Sequence, residues 1–183
     1  LTNTDGSYTL SAFDNFGAIV VQTDDNTIDS SSGEVLSGVI LKAPKGAQVV
    51  SPTSTMVVES NLSVSEVAEV LGLPADFDLD FNPFDANADK DKAAAVEKTS
   101  QMLMSTINAI SASAEGVGLS KTDSFKTAIE AIIEVVKDNI ISKAVIDLSD
   151  DNILNDVSAK AVQAATKRGA DETSINRAMN EAV

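Results

Sequence analysis

The sequence predicts an α+β fold: a small amino-terminal β portion of three or four short strands, followed by an antiparallel helical bundle. Three observations lead there. Residues 1–50 are rich in Gly, Ser, Thr and Asp, and their apolar runs are short and bounded by turn formers. From Ser51 onward apolar residues recur at spacings of three and four, the helical period. Aromatic residues are only 4% of a chain that is 43% hydrophobic, so the core must be made of Ala, Val, Ile and Leu, which suits closely packed helices. A chain of 183 residues can bury one such core. The expected division is 1–50 for the β region and 51–183 for the bundle. Together they would form one domain, its first residues reading as the end of a preceding module.

In the β region, Ser7-Tyr8-Thr9-Leu10 follows the turn signal Asp5-Gly6. Ala18-Ile19-Val20-Val21 precedes the turn formers Thr23-Asp24-Asp25-Asn26, and Val35–Lys42 contains Gly38. Val49-Val50 closes the region. Ser51-Pro52 then reads as a helix N-cap followed by Pro at the first helical position, where its missing N–H is not needed. That helix would hold Met56, Val57 and Val58. Ser63-Val64-Ser65-Glu66 is a capping box opening a second helix, stopped by Gly72 and Pro74.

A long helix is predicted from Ala93 to about Ala114, with Val96, Met102, Leu103, Ile107 and Ile110 as its buried stripe. Glu115-Gly116-Val117-Gly118 breaks it, and Ser120 or Thr122 caps the next, which buries Phe125, Ile129, Ile132, Ile133, Val136 and Ile140. A further helix spans about Asp151 to Lys167, with Ile153, Leu154, Val157, Ala161 and Ala165 inside and Gly169 at its end. Asp171–Ala182 is a mostly polar terminal helix with Ile175 and Met179 as its apolar contacts, polar enough to meet a neighbouring module or a second copy instead of its own chain. Short connections make neighbouring helices antiparallel.

Net charge is −15, from 28 acidic and 13 basic residues. A field of that sign repels phosphates and anionic membrane surfaces, which argues against nucleic-acid binding. It favours cations and saline surroundings, where self-repulsion is screened. There is no Cys and no His, so thiol chemistry, disulfides and Ser-His-Asp or Cys-His catalysis have no material. No apolar run approaches the roughly 18 residues that would suggest a membrane span, so membrane insertion is not expected. No signal peptide is visible, and a start at Leu1 reads as a segment of a longer polypeptide.

The chemistry that is left belongs to oxygen ligands. Ala75–Lys92 holds Asp76, Asp78, Asp80, Asp85, Asp89 and Asp91 with Asn82 and Asn87. Asp85-x-Asn87-x-Asp89-x-Asp91 resembles the start of an EF-hand or dockerin-type calcium loop, in which alternate side chains converge on one ion. Lys90 stands where that loop needs Gly, and Val96 where it needs a bidentate Glu, so calcium would be held in another geometry. The candidate ligands are Asp85, Asn87, Asp89, Asp91 and Asp80. The plainer reading, ranked first, is a solvated loop whose Asp and Asn cap the following helix, where negative charge contributes about 0.3–1 kcal/mol. The alternation of Asp76, Asp78, Asp80 and Asn82 with Phe77, Leu79 and Phe81 reads as an extended segment laying apolar side chains on the bundle. Asp24, Asp25, Asn26 and Asp29 form a second acidic loop, read first as a plain turn.

Two segments carry a resemblance. Leu41-Lys42-Ala43-Pro44-Lys45-Gly46 running into Val50-Ser51-Pro52-Thr53-Ser54-Thr55, followed by Leu71-Gly72-Leu73-Pro74 and Asp76–Asn87, resembles a module of very large bacterial extracellular proteins, the RTX-type and related repetitive, calcium-dependent adhesins. The likeness covers about residues 5–110. Ser54 replaces a larger residue of that pattern, and Phe81-Asn82-Pro83-Phe84 a shorter Asp-Pro element. The resemblance implies a location outside the cell or on the bacterial cell surface. Its partners would be neighbouring modules of the same polypeptide and an unidentified surface ligand. It implies a role in spacing or attachment, with calcium as the one candidate cofactor and no catalytic residues; oligomeric state stays open.

Two competing readings are a sugar- or peptide-binding domain and a carboxylate-based polysaccharide hydrolase. The first requires a concave site lined by Tyr8, Phe13, Phe16 or the Phe77–Phe84 group. The second requires two buried carboxyls facing one cleft with raised pKa.

Overall fold

The computed structural model describes residues 3, 6–9, 17–28, 33 and 35–182. Strands β1 (Ile19–Gln22) and β2 (Ile40–Ala43) precede helices α1 (Pro52–Ser60), α2 (Val64–Val70), α3 (Lys90–Gly116), α4 (Lys121–Ile140), α5 (Asp151–Lys167) and α6 (Glu172–Ala182). The fold is α+β, with two strands among the described residues, fewer than the expected three or four. β1 and β2 pair antiparallel, Ile19 opposite Ala43 and Gln22 opposite Ile40, and a single bridge joins Ile28 to Val35. Gly38, with φ of 84°, interrupts the run Val35–Lys42, so only its second half is strand. Val49-Val50 and Ser7–Thr9 are irregular; Asp5, Leu10, Phe13, Phe16 and Asp29 lie outside the described residues.

The helix starts follow their caps. Ser51, Ser63, Asp89, Ser120 and Asp150 each accept a hydrogen bond from a backbone N–H of the first turn, and Asp171 does the same for Ser174. Ser120, not Thr122, caps α4. α3 begins at Lys90, three residues earlier than its apolar stripe predicts, because Asp89 takes the cap.

α3 to α6 form the bundle: α4 packs on α3 and α5, and α6 packs on α5 and α3. Ala114 of α3, Ala128 and Ala131 of α4, and Ala161 and Ala165 of α5 are fully buried, which lets the helices approach closely around Leu103, Ile107, Ile132 and Val157. Ile175 and Met179 are buried, so the apolar face of α6 lies against its own chain. α1 lies between β2 and the bundle. It holds Met56, Val57 and Val58 as expected; Met56 is buried together with Thr53, Ser54 and Thr55, while Val57 and Val58 are half-buried.

Candidate functional site

The joint between β2 and α1 is built from hydroxyls. Ser54 Oγ donates to the Lys42 carbonyl at 2.7 Å, and Thr55 Oγ1 accepts from the Lys42 N–H at 2.8 Å. Lys42 thus turns both its backbone groups to α1. The second edge of the sheet is closed by side chains where another strand would otherwise be required. Ser54 also completes a capping box with Ser51, their backbone N–H groups and hydroxyls bonding reciprocally at 2.8 and 3.1 Å. The Ser-Pro-Thr-Ser-Thr run therefore serves the fold.

The Asp-rich stretch is a chain of turns, not an extended segment. Backbone bonds close Pro74–Phe77, Asp78–Phe81, Asn82–Asp85 and Asp85–Ala88. In three of these turns the first residue is Asp or Asn, and its Oδ1 accepts from the N–H two residues on: Asp78 from Asp80, Asn82 from Phe84, Asp85 from Asn87, at 2.8–3.0 Å. The alternating exposure nevertheless holds, with Phe77, Leu79 and Phe81 half-buried between exposed acids, while Phe84 is 78% exposed.

Lys92 ties this loop to α3. Its Nζ donates to the Asp76 carbonyl at 2.8 Å and to Asp76 Oδ2 at 3.0 Å, and lies 4.8 Å from the centre of the Phe81 ring. The hydrogen bond from Lys92 holds the Asp76 carboxyl below its ordinary value.

Each candidate ligand is engaged separately. Asp80 Oδ1 accepts from the Gln48 N–H at 2.6 Å, Asp85 closes a turn, Asp89 caps α3, and Asp91 sits in the first helical turn. Asn87 is exposed, with its N–H on Asp85. Among the described residues no three acidic side chains come together as a metal-binding group. In the second acidic loop the Asn26 N–H bonds Asp24 Oδ1 at 2.9 Å and lowers the Asp24 pKa, while Asp25 bonds Ser37 and Lys121, which lower its own.

A groove of about 290 Å³ runs between the sheet and α4. Ile40 and Lys42 of β2 and Thr55 and Glu59 of α1 form one wall. Phe125, Ile129 and Ile133 form the floor, with Lys126, Glu130, Glu134 and Lys137 along its edge and Arg168 at one end. Lys42 pairs with Glu59, Lys137 with Glu134, and Arg168 with Glu130 at 2.7 Å. Burial raises the Glu130 pKa, but the hydrogen bond and charge of Arg168, aided by Lys167, outweigh it and leave the carboxyl below its ordinary value.

Sequence reasoning missed this groove. Its only signal was the charged edge of α4, where Lys126 and Glu130, four apart, precede Glu134 and Lys137; the opposite wall comes from residues some seventy to ninety positions earlier. The expected aromatic cleft differs: neither Tyr8 nor the Phe77–Phe84 group lines this groove, and Phe13 and Phe16 are outside the described residues. Among the described residues no Asp or Glu is buried, and every carboxyl whose pKa is displaced is displaced downward.

Compared with known proteins, the chain matches no family model, no curated protein and no solved structure.

Proposed function

We propose that the chain is a non-enzymatic module of a bacterial extracellular or cell-surface, adhesin-like polypeptide, used for spacing or attachment and tuned by calcium. The observation that carries this reading is the Asp-rich loop. Four of its acids, Asp78, Asp80, Asp85 and Asp89, each hold one oxygen on a backbone N–H, on a turn chain pinned by Lys92 and Asp80. Such a loop is ordered yet strongly anionic, a combination that suits a module working in a calcium-containing medium. The hydroxyl joint at Lys42 supports a structural role, since it ties β2 to α1 in this chain through Ser54 and Thr55.

The test is a thermal melt in chelator, then in millimolar calcium, equal magnesium, and sodium matched for ionic strength. A ligand bound only by the folded form raises the melting temperature by mass action, about 2.7 kcal/mol at a hundredfold excess over Kd. A rise specific to calcium, removed by Asp85→Ala or Asp89→Ala, is the expected result. Equal rises in all three salts would mean screening alone and would end the calcium reading.

A second reading, a peptide- or sugar-binding domain, draws on the groove between β2 and α4. Its floor is aliphatic and its edges carry fixed charges.

A further inference from the structure

We propose that the groove between β2 and α4 binds a peptide segment that presents a branched aliphatic side chain beside a carboxylate. This inference rests on the second reading above and names its ligand class. Charge is the first reason. Four of the chain's 13 basic residues, Lys42, Lys126, Lys137 and Arg168, line a groove that holds three carboxylates, in a molecule of net charge −15. Three of those cations are paired with the glutamates across or along the groove. Lys126 is exposed and has no ion pair or hydrogen bond among the described residues, so one positive charge is available to a ligand.

Shape and polarity are the second reason. Ile40 is half-buried and gives the groove its accessible aliphatic surface, while Ile129 and Ile133, each 5% exposed, lie at its floor. The strand register sets Val20 directly beside Lys42, on the same sheet face as Ile40, and Val20 is 55% exposed. The aliphatic surface therefore continues out of the groove along the sheet.

A sugar ring would need an exposed aromatic platform, and the only aromatic lining residue among the described residues, Phe125, is 4% exposed. A second copy of the chain would bring another −15 charges and be repelled. A short peptide with an aliphatic group and one carboxylate fits both the aliphatic surface and the free cation. The carboxylate could come from a chain terminus or an acidic side chain.

The experiment is a titration of the whole chain, labelled at isoleucine methyls, with four probes: acetyl-Leu with its free carboxylate, acetyl-Leu-Asp-amide, acetyl-Leu-amide and galacturonic acid. Saturable shifts of the Ile40, Ile129 and Ile133 methyls by either carboxylate-bearing Leu compound are expected, and the two compounds tell terminus from side chain. Acetyl-Leu-amide should bind about threefold more weakly, and Lys126→Gln should weaken the carboxylate probes to the same degree and leave the amide unaffected, as for a solvent-screened pair. Equal binding of acid and amide would overturn the carboxylate assignment. Shifts by galacturonic acid alone would overturn the peptide class while keeping a binding domain. No saturable shift with any probe would overturn both.

Discussion

Lys42 is held by two neighbouring hydroxyls of α1, one accepting from its N–H and one donating to its carbonyl, and both hydroxyls are buried. Two residues away from Thr55, Thr53 is equally buried, and its Oγ1 has no hydrogen-bond partner among the described residues. The pair makes a controlled comparison. Thr55→Val keeps the shape but leaves the Lys42 N–H unpaired, and should cost about 1–3 kcal/mol. Thr53→Val removes a hydroxyl that bonds nothing and should be neutral or stabilising. Urea denaturation reads both, and a cost for Thr53→Val equal to that of Thr55→Val would refute the assignment. The two threonines point to nearly opposite sides of one short helix, and only the fold decides that the side of Thr55 meets β2.

At the level of elements, three helix ends follow one rule, and two depart from it: α1 closes on Asn61 at φ 58°, and α4 on a lysine. α2, α3 and α5 close with Gly72, Gly118 and Gly169 at positive φ, and in each the next residue's N–H returns to a carbonyl five back. α4 closes the same way, with Ala144 N–H on Asn139, but Lys143 occupies the left-handed position at φ 51°. A side chain costs about 1–2 kcal/mol there, and Gly gives back about 0.5–1 kcal/mol in chain entropy. Lys143→Gly should therefore stabilise the fold by about 0.5–1 kcal/mol, read as a higher urea midpoint. The salt bridge it removes, to Glu69, is exposed and worth little. For α6, Ile175→Ala should cost about 2–5 kcal/mol, since the residue is fully buried against the bundle. A chain cut at Gly169 should melt less cooperatively; an unchanged melt would show that α6 contributes nothing to the core.

For the whole molecule, pH is the sensitive variable. Hydrogen bonds from Asn26, Ser63, Lys92 and Ser174 lower the pKa values of Asp24, Glu66, Asp76 and Asp171 in the folded chain. A depressed folded value means stability that is fully present above the ordinary values of 3.8 for Asp and 4.5 for Glu, and is lost as pH falls through the folded values. Protonation also relieves the repulsion of an acidic molecule, which acts in the opposite direction. At about 0.5 M salt that repulsion is screened. The melting temperature there should hold steady down to about pH 4.5 and fall below it. A melting temperature that rises below that pH would mean that self-repulsion outweighs these hydrogen bonds.

The α+β class, the caps at Ser51 and Ser63 and the stops at Gly72, Gly118 and Gly169 were legible in the sequence, because caps, glycines and apolar spacing act within a turn or two of chain; the start of α3, the choice of Ser120 for α4 and the Asp150 cap of α5 were not. The site was less so. The Asp-rich loop announced itself by composition, but alternation of Asp with Phe and Leu is common to an extended strand and to turns closed by Asp and Asn; the backbone bonds at Asp78, Asn82 and Asp85 decided between them. The strand count failed for a related reason, since a strand exists only where a second backbone pairs with it in register, and among the described residues Ser7–Thr9 and Val49-Val50 join no strand. What tertiary structure alone decided is the hydroxyl joint at Lys42 and the groove floored by Ile129 and Ile133. The joint forms where the edge of β2 meets the hydroxyls of α1, and the groove where β2 and α4, distant in sequence, are brought together by burial of the core.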